Sequence, residues 1–152
     1  MDIGDTAPDF ALPDQNGDVR RLSELLADGP VVLFFYPAAF TPGCTKEACH
    51  FRDLAAEFAD AGVQRVGISR DDVSKQQDWT AKHGFDYPLL ADVGGEVAKA
   101  YGVARGALFA KIGAPTKRTT FAIRADGTVA GVTASEFNMS THADEALAAL
   151  RG

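Results

Sequence analysis

The sequence predicts an α/β fold in which helices flank a mixed sheet. An apolar run without alternation, Val31 to Tyr36, is typical of a central strand that is buried on both faces. Two more strands follow it in alternation with helices, which favours parallel pairing. The last two strands are joined by Ala125-Asp126-Gly127, a hairpin signal that implies antiparallel pairing. Both kinds of pairing are therefore expected in one sheet.

A short hairpin is predicted before the central strand. Residues 10–12 and 19–22 flank an Asp-Gln-Asn-Gly turn signal at 14–17, so they are expected to form two short strands. Ser23 is the expected cap of a short helix over 24–28, which a Gly-Pro pair ends. These segments predict an N-terminal β-hairpin extension to the main sheet.

The longest predicted helix begins at Pro42 or Gly43 and ends near Ala61. Its apolar residues recur at spacings of three and four, which is typical of a helix with one buried stripe. These residues are Ala48, Phe51, Leu54, Ala55 and Phe58. A second helix is expected to begin at a capping box over 74–77 and to end at Gly84.

The remaining elements complete one predicted domain over residues 1–152. Further strands are expected over 65–69, 87–90, 119–124 and 128–133, with a short helix over 96–101 and a final helix over 141–150. The final helix is expected to turn Ala146, Leu147 and Leu150 inward. This order fits a thioredoxin-like sandwich with an N-terminal extension, and it fits other α/β folds as well.

Composition and charge exclude several classes of protein. The chain has 152 residues, of which 46% are hydrophobic and 24% charged, as in an ordinary globular domain that folds without disulfides. Its net charge of −6 repels phosphate, so no nucleic-acid partner is expected. No segment approaches the ~20 apolar residues of a membrane helix, so no membrane partner is expected either. The first residues lack the pattern of an export signal, and the cytoplasm is the expected location.

The two cysteines need an explanation, because thiols in the cytoplasm are normally kept reduced. Cys44 lies in the first turn of the long predicted helix, where unpaired N–H groups and the helix dipole favour a nucleophilic thiolate. Thr41 can turn its hydroxyl toward a molecule bound beside the sulfur, and Pro37 can shape the loop and shield the sulfur from water. Position alone leaves open whether the cysteines are reactive or are small buried hydrophobic residues.

The segment Pro37-x-x-x-Thr41-x-x-Cys44 resembles the Pro-x-x-x-Thr/Ser-x-x-Cys motif of peroxiredoxins, at the same place between strand and helix. The resemblance extends to the opening at 4–10, to the strand end at 34–37 and to the Arg-Thr-Thr-Phe segment that begins at residue 118. A second cysteine five residues after the first is similar to the PrxQ, or bacterioferritin comigratory protein, subgroup.

This resemblance implies a thiol-dependent peroxidase of the atypical 2-Cys type. Cys44 would attack hydrogen peroxide or an organic hydroperoxide and become a sulfenic acid, with Arg118 as the active-site arginine. Cys49 would then form an intrachain disulfide, which a thioredoxin or glutaredoxin would reduce. Since cysteine carries the chemistry, no metal, flavin or haem cofactor is expected. The subgroup also favours a monomer over a dimer.

The spacing of the cysteines adds a geometric requirement. Five helical residues place two Cα atoms about 8.7 Å apart, whereas a disulfide requires about 4.4–6.8 Å. The first turns of the helix, at 41–50, are therefore expected to unwind in each cycle. Gly43 and a weak cap should keep the cost of this opening low.

Several neighbouring residues have more than one interpretation. Glu47, one turn after Cys44, either orients Arg118 or is a solvated carboxylate favoured by the dipole. His50 is expected on the helix surface, and the few histidines do not favour a zinc site. Trp79 and Phe85 are expected in the core. An apolar segment over 106–115 either packs over the sheet or serves as a peroxide entrance, a partner surface or a seat for the displaced Cys49 segment.

Two rival functions share parts of this pattern. A thioredoxin-type disulfide oxidoreductase would share the fold, but it normally uses Cys-x-x-Cys rather than the Cys-x4-Cys present here. A non-enzymatic binding module would carry both cysteines incidentally, and its thiols would react with peroxide no faster than free cysteine.

Overall fold

The N-terminal hairpin is present in the computed structural model, which describes residues 1–106, 115–136 and 138–151. Strands β1 (Ala11–Pro13) and β2 (Val19–Arg21) pair antiparallel, as predicted. Helix α1 (Leu22–Leu26) follows at once, so Ser23 lies inside it and the prediction that Ser23 caps it was wrong. The backbone N–H of Ser23 instead donates to the Asp9 carboxylate at 2.9 Å, a contact across the chain that local sequence does not indicate.

Five strands form the main sheet in the spatial order β5-β4-β3-β6-β7. They are β3 (Val31–Phe35), β4 (Gln64–Ser69), β5 (Leu89–Ala91), β6 (Thr119–Ile123) and β7 (Val129–Ala134). The first three pair in parallel, while β6 pairs antiparallel with both β3 and β7. The predicted mixed sheet is therefore confirmed. Its middle strand, β3, is buried at every residue, as its unalternating apolar sequence requires.

In the part of the chain that the structure describes, five further helices pack around the sheet. They are α2 (Pro42–Asp53), α3 (Ala55–Ala61), α4 (Val73–His83), α5 (Glu96–Ala100) and α6 (Met139–Arg151). Among the described residues, no helix is both long enough and apolar enough to cross a membrane.

The single long helix predicted over 42–61 is in fact two helices, α2 and α3. Leu54 separates them with a non-helical backbone at φ −93° and ψ 19°. Arg65 on β4 binds the Phe51 carbonyl at 3.0 Å, so a distant side chain satisfies one of the last carbonyls of α2. The apolar stripe continues across the break, since Phe58 is also buried. Periodicity therefore gave no sign of the interruption.

The start of α4 also differs from the prediction. Asp72 is the cap, because its Oδ1 accepts the backbone N–H of Lys75 at 2.9 Å. The predicted capping box at 74–77 was therefore two residues too late. The first turn places the Gln76 side chain inside the protein, where it bonds Tyr36 at 2.6 Å and Ser69 at 2.9 Å.

The core has two layers, one on each face of the sheet, which is the predicted sandwich. Phe34 faces α2 and stacks on Phe51, with ring centroids 4.2 Å apart. Phe35 faces the opposite layer, where α1 and α5 pack with Tyr101 and Phe121. Trp79 and Phe85 lie in the core, as predicted, as do Ala146 and Leu147 of α6, with Leu150 partly buried beside them.

We predict that Phe121→Ala lowers the free energy of unfolding by about 3–5 kcal/mol, because it leaves a cavity in the second layer. The Phe121 ring is 1% exposed and lies against Phe35 and Tyr101 at 5.9 and 5.4 Å. Urea denaturation measures the loss. Val93→Ala is the control, since Val93 is 59% exposed and should change stability by less than about 0.5 kcal/mol. Equal midpoints for the two variants would contradict this description of the core.

Candidate active site

The end of β3 leads directly into the candidate site. After Tyr36 the chain bends at Pro37, and the backbone N–H of Ala39 donates to Asp71 at 2.8 Å, which holds the loop against the end of β4. Thr41 precedes the first turn of α2 with an extended backbone, and Pro42 is the first helical residue. A proline there is already in the backbone conformation that a helix needs.

Cys44 lies in the first turn of α2, as predicted, and its side chain is buried at 1% exposure. The first hydrogen bond at this helix end runs from the Thr45 N–H to the Thr41 carbonyl, at 2.9 Å. The N–H groups of Gly43 and Cys44 precede this bond, so they belong to the unpaired donors of the helix start. With the helix dipole they favour a negative charge on the Cys44 sulfur.

Arg118 meets this sulfur from the sheet. It directly precedes β6, whose Thr119 pairs with Phe35 at the end of β3, so the strand register brings residue 118 beside the start of α2. Its Nη2 lies 3.2 Å from Cys44 Sγ, and its Nη1 lies 3.2 Å from Glu47 Oε1. A Cβ on Gly43 would lie 3.3 Å from Nη2, so glycine leaves room for the guanidinium.

Arg118 is the buried cation of the site. Burial acts to lower the pKa of Arg118, but the neighbouring Cys44 and Glu47 outweigh it, and the pKa of Arg118 is raised. The guanidinium therefore stays charged and can use two of its donors at once, one for each acidic partner.

Thr41 and Pro37 lie in the loop that leads to Cys44, where the motif placed them. The Thr41 hydroxyl donates to the Ala38 carbonyl at 2.8 Å, so in this state it holds the loop. Pro37 is half-buried at the bend. Their predicted roles toward a bound molecule stay predictions.

Phe40 has the backbone conformation that favours glycine, with φ 66°. A bulky residue there is strained. Its ring is 43% exposed, lies 6.4 Å from the Trp79 ring and faces the Lys82 ammonium at 5.8 Å. Strain of this kind collects at functional sites, and here it lies four residues before Cys44.

Cys49 is on the same helix and is partly buried among different neighbours. Its Sγ lies 4.0 Å from His83 Nδ1, at the end of α4. Arg52 holds that end, since its Nη1 donates to the His83 carbonyl at 2.6 Å. Both cysteines are free thiols. His50 points to the other side, where it pairs with Asp144 at 3.0 Å near the surface, as predicted.

Glu47 and His142 complete the site; contact with Arg118 was one of the two interpretations of Glu47, whereas His142 was not predicted. Glu47 is fully buried, so its interpretation as a solvated carboxylate was wrong. His142, also fully buried, bonds Thr120 and the Ser135 carbonyl at 2.8 Å each and lies 3.4 Å from Glu47. Its position four residues before the inward Ala146 was the signal that could have found it.

The apolar segment over 106–115 also neighbours β6 in sequence. Residues 107–114 lie outside the described part of the chain, so the interpretations of this segment are untested. Within the described part, no three His, Cys, Asp or Glu side chains group closely enough to hold a metal ion.

Comparison with known proteins decides the family. Residues 3–132 match the AhpC/TSA family, which is most of the chain. The chain is a peroxiredoxin of this family. It is 62% identical over 151 residues to a Mycobacterium tuberculosis protein named as a peroxiredoxin, an alignment that covers 99% of this chain and 97% of the relative. It is also 43% identical to the chloroplastic peroxiredoxin Q of Arabidopsis thaliana, over 97% of this chain and 66% of the relative.

Solved structures place this peroxiredoxin in the PrxQ/BCP subgroup. The peroxidoxin BcpB of Mycobacterium tuberculosis superposes with a TM-score of 0.93 at 61% identity, covering 99% of this chain and 97% of that one. A second structure is the bacterioferritin comigratory protein of Xanthomonas campestris, which was described for its alkyl peroxide reduction activity. It superposes with a TM-score of 0.83 at 32% identity, covering 93% of this chain and 90% of that one. The predicted subgroup and the thioredoxin-like fold are confirmed.

The peroxiredoxin is therefore a thiol-dependent peroxidase, whose family implies a peroxide substrate and a thiol reductant. Two cysteines in one helix fit the atypical 2-Cys type. The two rival functions, a disulfide oxidoreductase and a non-enzymatic module, are set aside by this membership.

We predict that Arg118→Lys slows the reaction with peroxide by about tenfold or more, since a hydrogen bond to a charged group contributes about 1.5–3 kcal/mol. Lysine keeps the charge but lacks the fork that reaches both Cys44 and Glu47. The second-order rate constant with hydrogen peroxide measures the effect. Arg124→Lys is the matched control, because Arg124 is exposed beyond the far end of the same strand. Equal rates for the two variants would contradict the role of Arg118.

Proposed function

We propose that Cys44 is the peroxidatic cysteine of this peroxidase, and the observation that carries the proposal is its 3.2 Å contact with Arg118. The thiolate attacks one peroxide oxygen, the O–O bond breaks, and the sulfur becomes a sulfenic acid. The second oxygen leaves as water when the substrate is hydrogen peroxide and as an alcohol when it is an organic hydroperoxide.

Donors around the sulfur stabilise the charge that moves onto the leaving oxygen. Arg118 brings a fixed positive charge, and the backbone N–H of Cys44 adds a donor from the helix start. The Thr41 hydroxyl, three residues away, can turn from the Ala38 carbonyl toward the bound peroxide. Pro37 adds no competing N–H at the bend and helps to keep water from the thiolate.

Cys49 is the proposed resolving cysteine, and its position on α2 makes helix opening necessary. Both cysteines lie within the continuous helix Pro42–Asp53, where residues five apart are separated by about 8.7 Å between Cα atoms. A disulfide needs a Cα separation of about 4.4–6.8 Å. The first turns of α2 must therefore unwind before the sulfurs meet.

The start of α2 is suited to this opening. Thr41 makes no side-chain hydrogen bond to the helix, and Gly43 weakens the first turn. Farther along, the Tyr87 hydroxyl binds the Ala48 carbonyl at 2.6 Å, and Arg65 binds that of Phe51. Opening from the N-terminal end leaves the last of these bonds in place.

An external dithiol then reduces the disulfide by exchange. We propose a thioredoxin or a glutaredoxin as this reductant, and a monomer as the working form, both following the PrxQ resemblance. A cytoplasmic location is part of the proposal, since this cycle needs a compartment that keeps thiols reduced.

The first test is the intact mass after one equivalent of hydrogen peroxide, with thiol blocking within seconds. We expect the protein to lose the mass of two hydrogens together with both free thiols. Cys44→Ser should show no change, and Cys49→Ser should gain a single oxygen on Cys44. If Cys49 stays free while the unmutated protein gains one oxygen, the resolving role is wrong. If nothing changes, the role of Cys44 is wrong too.

A second test is hydrogen exchange of the α2 amides in the reduced and disulfide forms. We expect amides over 43–50 to exchange at least about tenfold faster in the disulfide form, because the turn that protects them has opened. Amides in the middle of α6 are the internal control and should keep their protection. Equal protection of 43–50 in both forms would refute the opening.

A further inference from the structure

Arg118 faces two buried acids, although it carries one charge. Cys44 Sγ and Glu47 Oε1 each lie 3.2 Å from its guanidinium nitrogens, and both side chains are shielded from water. Glu136 lies farther away, 4.0 Å from Nε, is 36% exposed and also pairs with Arg105. Burying an uncompensated charge costs several kcal/mol. One of the two fully buried acids is therefore best kept neutral.

The surroundings of Glu47 Oε2 favour the neutral acid there. His142 Nε2 faces the Ser135 carbonyl at 2.8 Å, so this nitrogen carries the ring proton. In the neutral ring Nδ1 is then an acceptor, and the Thr120 hydroxyl donates a hydrogen bond to it at 2.8 Å. Nδ1 lies 3.4 Å from Oε2 and has no proton to donate to it, and among the described residues Oε2 has no hydrogen-bond partner. A carboxylate would leave this oxygen unsolvated.

The titration behaviour agrees with this geometry. Burial raises the pKa of Glu47 to about 8, against the lowering by Arg118, and Glu136 raises it further. Burial and Arg118 lower the pKa of His142, against the Ser135 carbonyl, Glu136 and Glu145. Among the described residues, Cys44 and Tyr87 are further titratable neighbours of the pair. Near neutral pH, Glu47 is therefore protonated and His142 is neutral.

We propose that Glu47 stores the proton that balances the charge of Cys44 and releases it when Cys44 is oxidised. The inference rests on the proposed peroxidatic role of Cys44. In the reduced protein, the Cys44 thiolate compensates Arg118 while Glu47 is neutral. In the sulfenic acid the sulfur is neutral, and Glu47 becomes the carboxylate that compensates the same guanidinium. Glu47 acts here through Arg118, and the charge of the buried cluster stays constant.

The step balances in atoms and electrons. The thiolate sulfur forms an S–O bond and is oxidised, while the O–O bond breaks and the peroxide is reduced. Hydroxide leaves, and the proton given up by Glu47 converts it to water. Without Glu47, that proton has to come from solution.

A count of protons tests the proposal. The protein carries Cys49→Ser, so that the reaction stops at the sulfenic acid, and a pH-indicator dye in weak buffer follows one equivalent of hydrogen peroxide. At about pH 7, below the titration of Glu47, we expect no net proton uptake per sulfenic acid. With Glu47→Gln added, whose amide oxygen can still accept from Arg118, we expect uptake of about one proton. Glu57→Gln, exposed on α3, is the matched control and should behave like the parent.

The proton uptake of the parent, which is the Cys49→Ser protein with Glu47 intact, should change at the pH where Glu47 itself ionises. At about pH 9, where Glu47 is already ionised, the parent and Glu47→Gln should both take up about one proton. Uptake of one proton by the parent at neutral pH would overturn the proposal. No uptake by Glu47→Gln would overturn it as well.

Infrared difference spectra between the oxidised and the reduced Cys49→Ser protein, with Glu47 intact, give a second measurement. Oxidation should remove a protonated-carboxyl C=O band and create carboxylate bands, and both changes should be missing in Glu47→Gln. A spectrum without loss of the carboxyl band would overturn the proposal. The mass of each product separates the two levels of the argument. If Cys44 gains oxygen but proton uptake is the same with and without Glu47→Gln, only the proton store is refuted. If Cys44 gains no oxygen, the peroxidatic assignment on which the proton store rests is refuted.

Discussion

The buried guanidinium of Arg118 is the constraint around which the site is arranged. Removing such a cation from water costs several kcal/mol, so it needs acidic partners at hydrogen-bond distance. Helix α2 offers two of them one turn apart, at Cys44 and Glu47, and Gly43 leaves the space in which the guanidinium lies. Strand β6 supplies the arginine because its register with β3 fixes where residue 118 falls. The Cys44 sulfur is thus positioned by helix, sheet and charge together.

In the proposed cycle, the same helix has to satisfy two opposing demands. Folded, α2 presents Cys44 to Arg118 and encloses the sulfur. Opened, it lets Cys49 approach, but it gives up the contact between Cys49 and His83. The uneven anchoring of α2 reconciles these demands. Its first turn lacks a side-chain cap, whereas its carbonyls at residues 48 and 51 are held by Tyr87 and Arg65. Low stability is therefore concentrated where movement is needed.

Sequence patterns predicted most of the fold and the reactive end of the site. The apolar run of β3, the hairpin signals and the placement of Cys44 depend on local residues, and all were found where expected. The break at Leu54 was not predictable from periodicity, because Phe58 continues the buried stripe beyond it. His142 was missed, and the two interpretations of Glu47 stayed open, since the burial of both residues depends on α6 packing across the start of α2, far away in the chain. Long-range packing, rather than a weak local signal, therefore limited what could be predicted from the sequence.

Trp79 gives the protein an optical property that follows from its packing. It is the single tryptophan of the chain, it is fully buried, and its indole N–H lies 3.4 Å from the Thr45 hydroxyl in the first turn of α2. Its ring also lies 5.1 Å from Tyr36, at the end of β3. The natural fluorophore thus contacts the part of the helix that is proposed to open. Under the proposed cycle, the emission wavelength and lifetime of Trp79 are expected to report the redox state of the peroxidase without an attached dye.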